Sequence, residues 1–284
     1  MTEVYSSRAV QDILSREGLA PLKKLGQNFL CDINIVNKIA EAGTPEGGSV
    51  IEIGPGLGAL TSALLKRTEK VLAIEIDAGM VKALGTILDG YDNIEIIHED
   101  VLKCDMDELA ERYFQGGRYE VCANLPYYIT GPVIMKILNL KKLPDTITVM
   151  VQKEVALRMA ARPGDAEYSG FSASVQYFGT PKLLFTVGPS SFYPSPDVDS
   201  AVVKLELKRQ FDIAFDCYDR VVKGLFGMRR KTVLNNMVKA FGLDPAQARE
   251  LLEKAGILSG KRAEELSPAD FAGLAGAMAD AGIL

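Results

Sequence analysis

The sequence predicts an α/β fold: a mostly parallel Rossmann-like sheet with an antiparallel edge hairpin, followed by a small all-helical C-terminal domain. Three observations carry this. From Ser49 onward, apolar β-rich runs (VIEIG, VLAIEID, NIEIIHED, YEVCANLPY, TITVMVQKE) alternate with helix-compatible stretches, the pattern of parallel strands joined by crossover helices. Two later runs, Leu183–Val187 and Ala201–Leu207, flank the proline-rich GPSSFYPSPDVDS, and edge strands tolerate such prolines. After Arg209 the texture changes to short amphipathic stretches, YDRVVKGLFGM, KTVLNNMVKAFG, PAQARELLEKAG and SPADFAGLAGAMADAG.

In chain order, the segment before Leu22 reads as a helix or arm without obvious chemistry. The run Val50-Ile51-Glu52-Ile53 is a strand closed by Gly54-Pro55-Gly56-Leu57-Gly58, and ALTSALLKR continues as a helix. Gly242 and Gly256 are helix stops, and Ser267-Pro268 with Asp270 is a helix start. These readings divide the chain into a catalytic domain over 1–208 and a helical domain over 209–284.

The chain has 284 residues, 48% hydrophobic and 24% charged, enough to bury a sizeable core. No apolar stretch reaches the roughly 20 residues that a membrane span needs, and the N-terminus lacks signal-peptide character, so a cytoplasmic protein is expected. Cys31, Cys104, Cys122 and Cys217 lie far apart and His98 is the single histidine, which supports neither a metal site nor a disulfide framework. One histidine without a nucleophile context also disfavours triad chemistry. The net charge of −5 and a pI near 5.2 confine any nucleic-acid contact to local patches.

The glycine-rich turn lets backbone approach a ligand closely. Its GxGxG spacing, with Glu52 just before it, points to S-adenosylmethionine rather than a dinucleotide. Glu75, about twenty residues on at the end of the next strand, is placed to accept from ribose hydroxyls. Asp100, after the third strand, is placed to accept from an adenine amine. The strand YEVCA ends in Asn124-Leu125-Pro126-Tyr127. An adenine amine is a poor nucleophile because its lone pair is delocalised into the ring. The Asn124 side-chain oxygen and the Leu125 carbonyl could accept its hydrogens and direct the lone pair at a methyl group. Pro126 would hold that carbonyl, and Tyr127 offers a face to an unstacked base.

With these motifs the chain resembles the bacterial small-subunit (16S) ribosomal RNA adenine dimethyltransferases. The resemblance runs through LGQNFL, IEIGPGLGALT, AIEID, HEDVL, NLPYYIT, MVQKEVALRM, SFYPSPDVDSAVVKLEL, FGMRRKTVLNN and RAEELSP, in order over nearly the whole chain. It implies a class I methyltransferase fold and N6,N6-dimethylation of two adjacent adenines near the 3′ end of 16S rRNA, during assembly of the small subunit. It further implies that Asn28, Leu30, Gly54, Gly56, Glu75, Asp100 and Asn124 bind S-adenosylmethionine, without a metal. Phe192 would stack on the flipped adenine opposite Tyr127. A pre-30S particle is the expected partner and a monomer the expected state.

Tyr128 stands where many family members have asparagine, and the acidic pI is unusual for such an enzyme. Candidate RNA contacts are Lys23-Lys24, Lys153, Arg158, Arg162 and the run Arg229 to Lys231. Three rivals differ in sequence. Large-subunit rRNA adenine methyltransferases typically carry NIPY and are strongly basic, and DNA adenine methyltransferases carry DPPY or NPPY with a larger recognition domain. A pre-ribosome checkpoint factor need not retain Glu75, Asp100 and Asn124.

Overall fold

The computed structural model describes residues 5–228 and 230–284, with Lys23 described by its backbone alone. Arg229 of the expected basic run therefore lies outside the described residues. The chain forms two compact units: residues up to Ala156 together with Lys182–Leu207, and Leu157–Pro181 together with Lys208–Leu284.

In the first unit the strands are β1 Phe29–Leu30, β2 Ser49–Ile53, β3 Lys70–Glu75, β4 Ile94–His98, β5 Glu120–Asn124, β6 Thr146–Gln152, β7 Lys182–Val187, β8 Phe192–Tyr193 and β9 Ser200–Glu206. The seven-stranded sheet runs β4-β3-β2-β5-β6-β9-β7. Its strands are parallel from β4 to β6, then β9 pairs antiparallel with both β6 and β7. The strands β2, β3 and β5 bury nearly every residue, as strands covered on both faces do, which is why they read as continuous apolar runs. From β2 the chain moves outward to β3 and β4, and then crosses back to β5 on the other side. Ligands of open α/β sheets bind at the carboxyl ends of strands beside such a reversal.

The helices α1 Ser7–Arg16, α2 Ile33–Gly43, α3 Ala59–Leu65, α4 Ala78–Ile87, α5 Met106–Phe114 and α6 Thr130–Leu138 belong to this unit, and α7 Lys153–Ala160 crosses its boundary. Local signals start them: Asp32 and Asp77 cap α2 and α4 through N–H donors of their first turns, satisfying orphan helix donors. Gly58, at φ +80°, opens α3, and a Cβ there would lie 2.9 Å from Leu84 Cδ2. The short antiparallel pair β1–β8 sets Leu30 opposite Phe192.

The second unit comprises α8 Gly170–Gln176, α9 Phe215–Phe226, α10 Val233–Phe241, α11 Pro245–Lys254 and α12 Pro268–Asp280. Its core is aromatic: the Tyr177 ring centroid lies 4.8 Å from Phe178, 5.1 Å from Phe215 and 4.8 Å from Tyr218. Ser267 caps α12 in a capping box with Asp270, and Gly242 ends α10 at φ +67°. The sequence-based boundary at 208/209 assigned 157–181 to the catalytic domain, whereas these residues cluster with the helical tail. The reason is long-range: Ser174 donates to Asp219 at 2.6 Å, Tyr218 donates to the Ala173 carbonyl at 2.9 Å, and Tyr168 donates to the Leu266 carbonyl at 3.0 Å. No described helix is long and apolar enough to cross a membrane.

Candidate active site

The ends of β2, β3 and β5, the glycine turn after β2, the turn after β4 and the arm before β1 enclose one cavity, and all its lining residues belong to the sheet unit. Gly54 and Gly56 take φ +67° and +57°, a region that only glycine enters without cost. A Cβ on Gly56 would also lie 3.1 Å from the Phe29 ring. The turn thus brings backbone up to the cavity where a side chain would intrude.

Glu75 ends β3, 5% exposed. Its Oε2 accepts from the Gly56 N–H at 3.1 Å and its Oε1 from the Asp77 N–H at 2.9 Å. Each carboxylate oxygen has a second lone pair, so the carboxylate is locked to the glycine turn while keeping capacity for a ligand's hydroxyl donors. Burial raises its pKa, against the backbone N–H groups of Asp77, Gly56 and Ile76 that lower it. Asp100 lines the cavity in the turn after β4, accepting from the Leu102 N–H at 3.0 Å and facing Lys103 Nζ at 3.5 Å. His98 takes no part: its Nε2 lies 3.2 Å from the Ile76 carbonyl oxygen.

Glu52 lies beneath the glycine turn, 1% exposed, and lines the cavity wall. Burial pushes its carboxyl up to about 8, tempered by the neighbouring Thr61 hydroxyl and augmented by the Glu75 carboxylate. Among the described residues, neither Glu52 Oε2 nor Thr61 Oγ1 has a hydrogen-bond partner in good geometry. A buried, unpartnered carboxyl beside a cavity suits a polar ligand group. The glycine cradle, this carboxyl, and the Glu75 and Asp100 carboxylates together fit a ligand carrying ribose and amines, as S-adenosylmethionine does.

At the end of β5 the Asn124 Nδ2 donates to the Asn28 carbonyl at 3.2 Å, and the Asn28 side chain donates to the Gly26 carbonyl at 3.1 Å. Since only the amide nitrogen can face a carbonyl, Asn124 Oδ1 is the end left to a ligand. The Leu125 N–H is bonded to the Met150 carbonyl at 3.1 Å, and the Pro126 carbonyl accepts from the Ile129 N–H and the Thr130 hydroxyl, both at 3.2 Å. The loop is therefore fixed on both sides of the Leu125 carbonyl. The Tyr127 hydroxyl shares a 2.7 Å hydrogen bond with Ser200 Oγ, and its ring is half-buried in the cavity wall.

Asn28, Leu30, Gly54, Gly56, Glu75, Asp100, Asn124, Leu125, Pro126 and Tyr127 all border this one cavity. Phe192 does not. It is 3% exposed, packed in the core of the sheet unit opposite Leu30, so the stacking face expected of it is covered by its own neighbours. Sequence reasoning missed Ile76, Leu102 and Tyr128, which are 44%, 37% and 53% exposed on the cavity lining. Large apolar side chains left open beside carboxylates mark a place for a ligand ring. The available signal was their spacing, immediately after Glu75, two residues after Asp100, and after Tyr127.

Of the expected RNA-contacting cations, Lys153 pairs with Asp199 at 3.3 Å, while Lys24, Arg162, Arg230 and Lys231 are exposed.

A family model described as Ribosomal RNA adenine dimethylase matches residues 21–280. The chain is 45% identical to the Ribosomal RNA small subunit methyltransferase A of Pelotomaculum thermopropionicum, with 99% of each chain covered. It is 41% identical to the protein of that name from Ligilactobacillus salivarius, covering 100% of this chain and 98% of the relative. Among solved structures, a dimethyladenosine transferase from Plasmodium falciparum superposes with a TM-score of 0.77 at 29% identity, over 89% of this chain and 98% of that one.

Proposed function

The chain belongs to the ribosomal RNA adenine dimethylase family and is an rRNA adenine dimethyltransferase, and from that premise we propose its substrate and site. It transfers methyl groups from S-adenosylmethionine to the exocyclic amines of two adjacent adenines near the 3′ end of 16S rRNA, acting in the cytoplasm, as a monomer, on a pre-30S particle. Asn28, Leu30, Gly54, Gly56, Glu75, Asp100 and Asn124 hold the methyl donor. Asn124, Leu125, Pro126 and Tyr127 act on the target base.

The observation that carries this reading is the orientation of Asn124, whose amide nitrogen is committed to Asn28. Its Oδ1 and the Leu125 carbonyl then accept the two hydrogens of a flipped adenine's amine, concentrating the nitrogen lone pair on one side. S-adenosylmethionine supplies an electrophilic methyl group on a sulfonium. Once methylated, the nitrogen is cationic and acidic, and it sheds a proton to water, so no histidine base is required. Tyr127, its hydroxyl anchored on Ser200, presents a ring to the flipped base. Phe192 is left out of this set because its ring is sealed in the core. The exposed Arg230 and Lys231, with Lys24 and Arg162, supply cations for phosphate contacts, and such binding weakens steeply with salt.

The test is incubation with labelled S-adenosylmethionine and undermethylated small subunits, followed by nucleoside mass spectrometry, with Asn124→Ala as control. Dimethyladenosine in small-subunit rRNA that disappears in the variant supports the reading. Label only in large-subunit RNA transfers it to the large-subunit class. Tight subunit binding without label leaves an assembly checkpoint as the function.

A further inference from the structure

Tyr128 is the most exposed of the large apolar side chains on the cavity lining, and nothing in the reaction above uses it. Its ring nevertheless has a defined seat. A Cβ on Gly26 would come within 3.3 Å of Tyr128 Cδ1 and 4.0 Å of Pro126 Cβ, and Gly26 itself sits at φ +58°. The glycine of the arm is thus the surface on which the ring rests.

That arm is held at both ends of the contact. Gln27 accepts from the Leu22 N–H at 2.8 Å and donates to Asp77 Oδ2 at 3.0 Å, while the Asn28 carbonyl takes the Asn124 amide. In front of the ring lies the cavity that Tyr128 lines together with Glu75 and Asp100, the carboxylates placed for the cofactor's ribose and adenine, and with the open side chains of Ile76 and Leu102. Burial, and after it those two carboxylates, raise the pKa of the Tyr128 hydroxyl.

We propose that Tyr128 is a positioning residue for the cofactor: its ring closes the nucleoside end of the cavity, and donor and spent cofactor must pass it between successive methyl transfers. The proposal rests on the reading that this cavity holds S-adenosylmethionine.

The test is calorimetric titration of S-adenosylhomocysteine into the full-length protein without RNA, for wild type, Tyr128→Ala and Tyr128→Phe. Steady-state methylation with varied S-adenosylmethionine and with varied RNA accompanies it. Removing an aromatic face from a base is expected to raise Kd about 10-fold in Tyr128→Ala, while Tyr128→Phe stays within about twofold of wild type because the ring and not the hydroxyl carries the effect. KM for S-adenosylmethionine follows Kd, and kcat falls by less. Equal Kd for wild type and Tyr128→Ala overturns the proposal while leaving the cofactor site intact. A rise confined to KM for RNA overturns it in favour of a ring that meets nucleic acid. Absence of binding to wild type overturns the cofactor reading and the proposal together.

Discussion

In the helical unit, Asp219 is buried but accepts from Ser174 and pairs with Lys223. The buried Asn236 there accepts from the Met228 N–H at 3.1 Å and donates to the carbonyls of Met228 and Lys231. At the carboxyl edge of the sheet, Glu52 is as deeply buried, yet its Oε2 has no partner. Among the described residues all five buried, unpartnered side-chain atoms lie in the sheet unit: Glu52 Oε2, Thr61 Oγ1, Arg67 Nε, Glu120 Oε2 and Thr146 Oγ1. Unpaired buried polar groups cost free energy, so a fold retains them where something other than stability is selected. Of these residues Glu52 lines the cavity; the helical unit, with no such atom among its described residues, reads as a self-consistent scaffold.

The largest effect that this contrast predicts is at Asn124. Asn124→Ala removes an acceptor aimed at the reacting amine and is expected to lower the methylation rate about 10²–10³-fold. Its half-exposed position makes the stability cost about 1 kcal/mol or less, measured by denaturant unfolding. A variant that unfolds but is normally active while folded would make Asn124 a structural residue and erase the difference between the two regions.

Phe192 tests the contrast from inside the sheet unit, because a ring placed in the core should behave as core. Phe192→Ala is expected to cost about 3–4 kcal/mol of stability, and Phe192→Leu about 1–2 kcal/mol. If Phe192→Leu folds and methylates within a few-fold of wild type, the ring serves packing alone. A folded Phe192→Leu that loses methylation by tenfold or more would mean that the ring leaves the core to meet the base.

In the helical unit Asp219→Ala strands the buried Ser174 hydroxyl and frees Lys223, which should cost about 2 kcal/mol. Because Lys223 is 71% exposed, its ion pair adds little to that figure. Binding of S-adenosylhomocysteine at a temperature where the variant is folded should be unchanged. Weakened binding there would show that the scaffold and the site are not separable.

The sheet was legible because apolar runs with short intervening helices leave few topologies, and because glycines and N-caps announce the turns. The carboxylates Glu75 and Asp100 and the loop Asn124 to Tyr127 were legible for a related reason: each ends a strand, and strand ends in a parallel sheet converge. Contacts between distant segments were not legible. The helix 170–176, rich in small polar residues, carries no periodicity that says whether it serves the sheet or the tail. That is decided by Ser174 meeting Asp219, 45 residues later. Phe192 looked like a stacking face because motif position gives no burial, and β8 seals it by pairing with β1. Tyr128 stood in view in NLPYY, but its seat on Gly26 arises only when the arm folds back.

Glu52 supplies the smallest and most specific prediction, one that depends on pH. Its carboxyl rises from 4.5 in the unfolded chain to about 8 in the fold, so between those values the folded protein keeps a proton that the unfolded chain releases. Stability from this group is therefore complete below pH 4.5 and drains away as pH rises through about 8. Glutamine has the same shape and cannot ionise, so Glu52→Gln should melt close to wild type at pH 5 and several degrees higher than wild type at pH 8.5. Glu75 is shifted in the same direction, so the variant flattens the profile without abolishing its slope. Parallel melting curves for the two proteins from pH 5 to 8.5 would mean that Glu52 has a partner in the fold, and the cavity edge would then be as well satisfied as the helical unit.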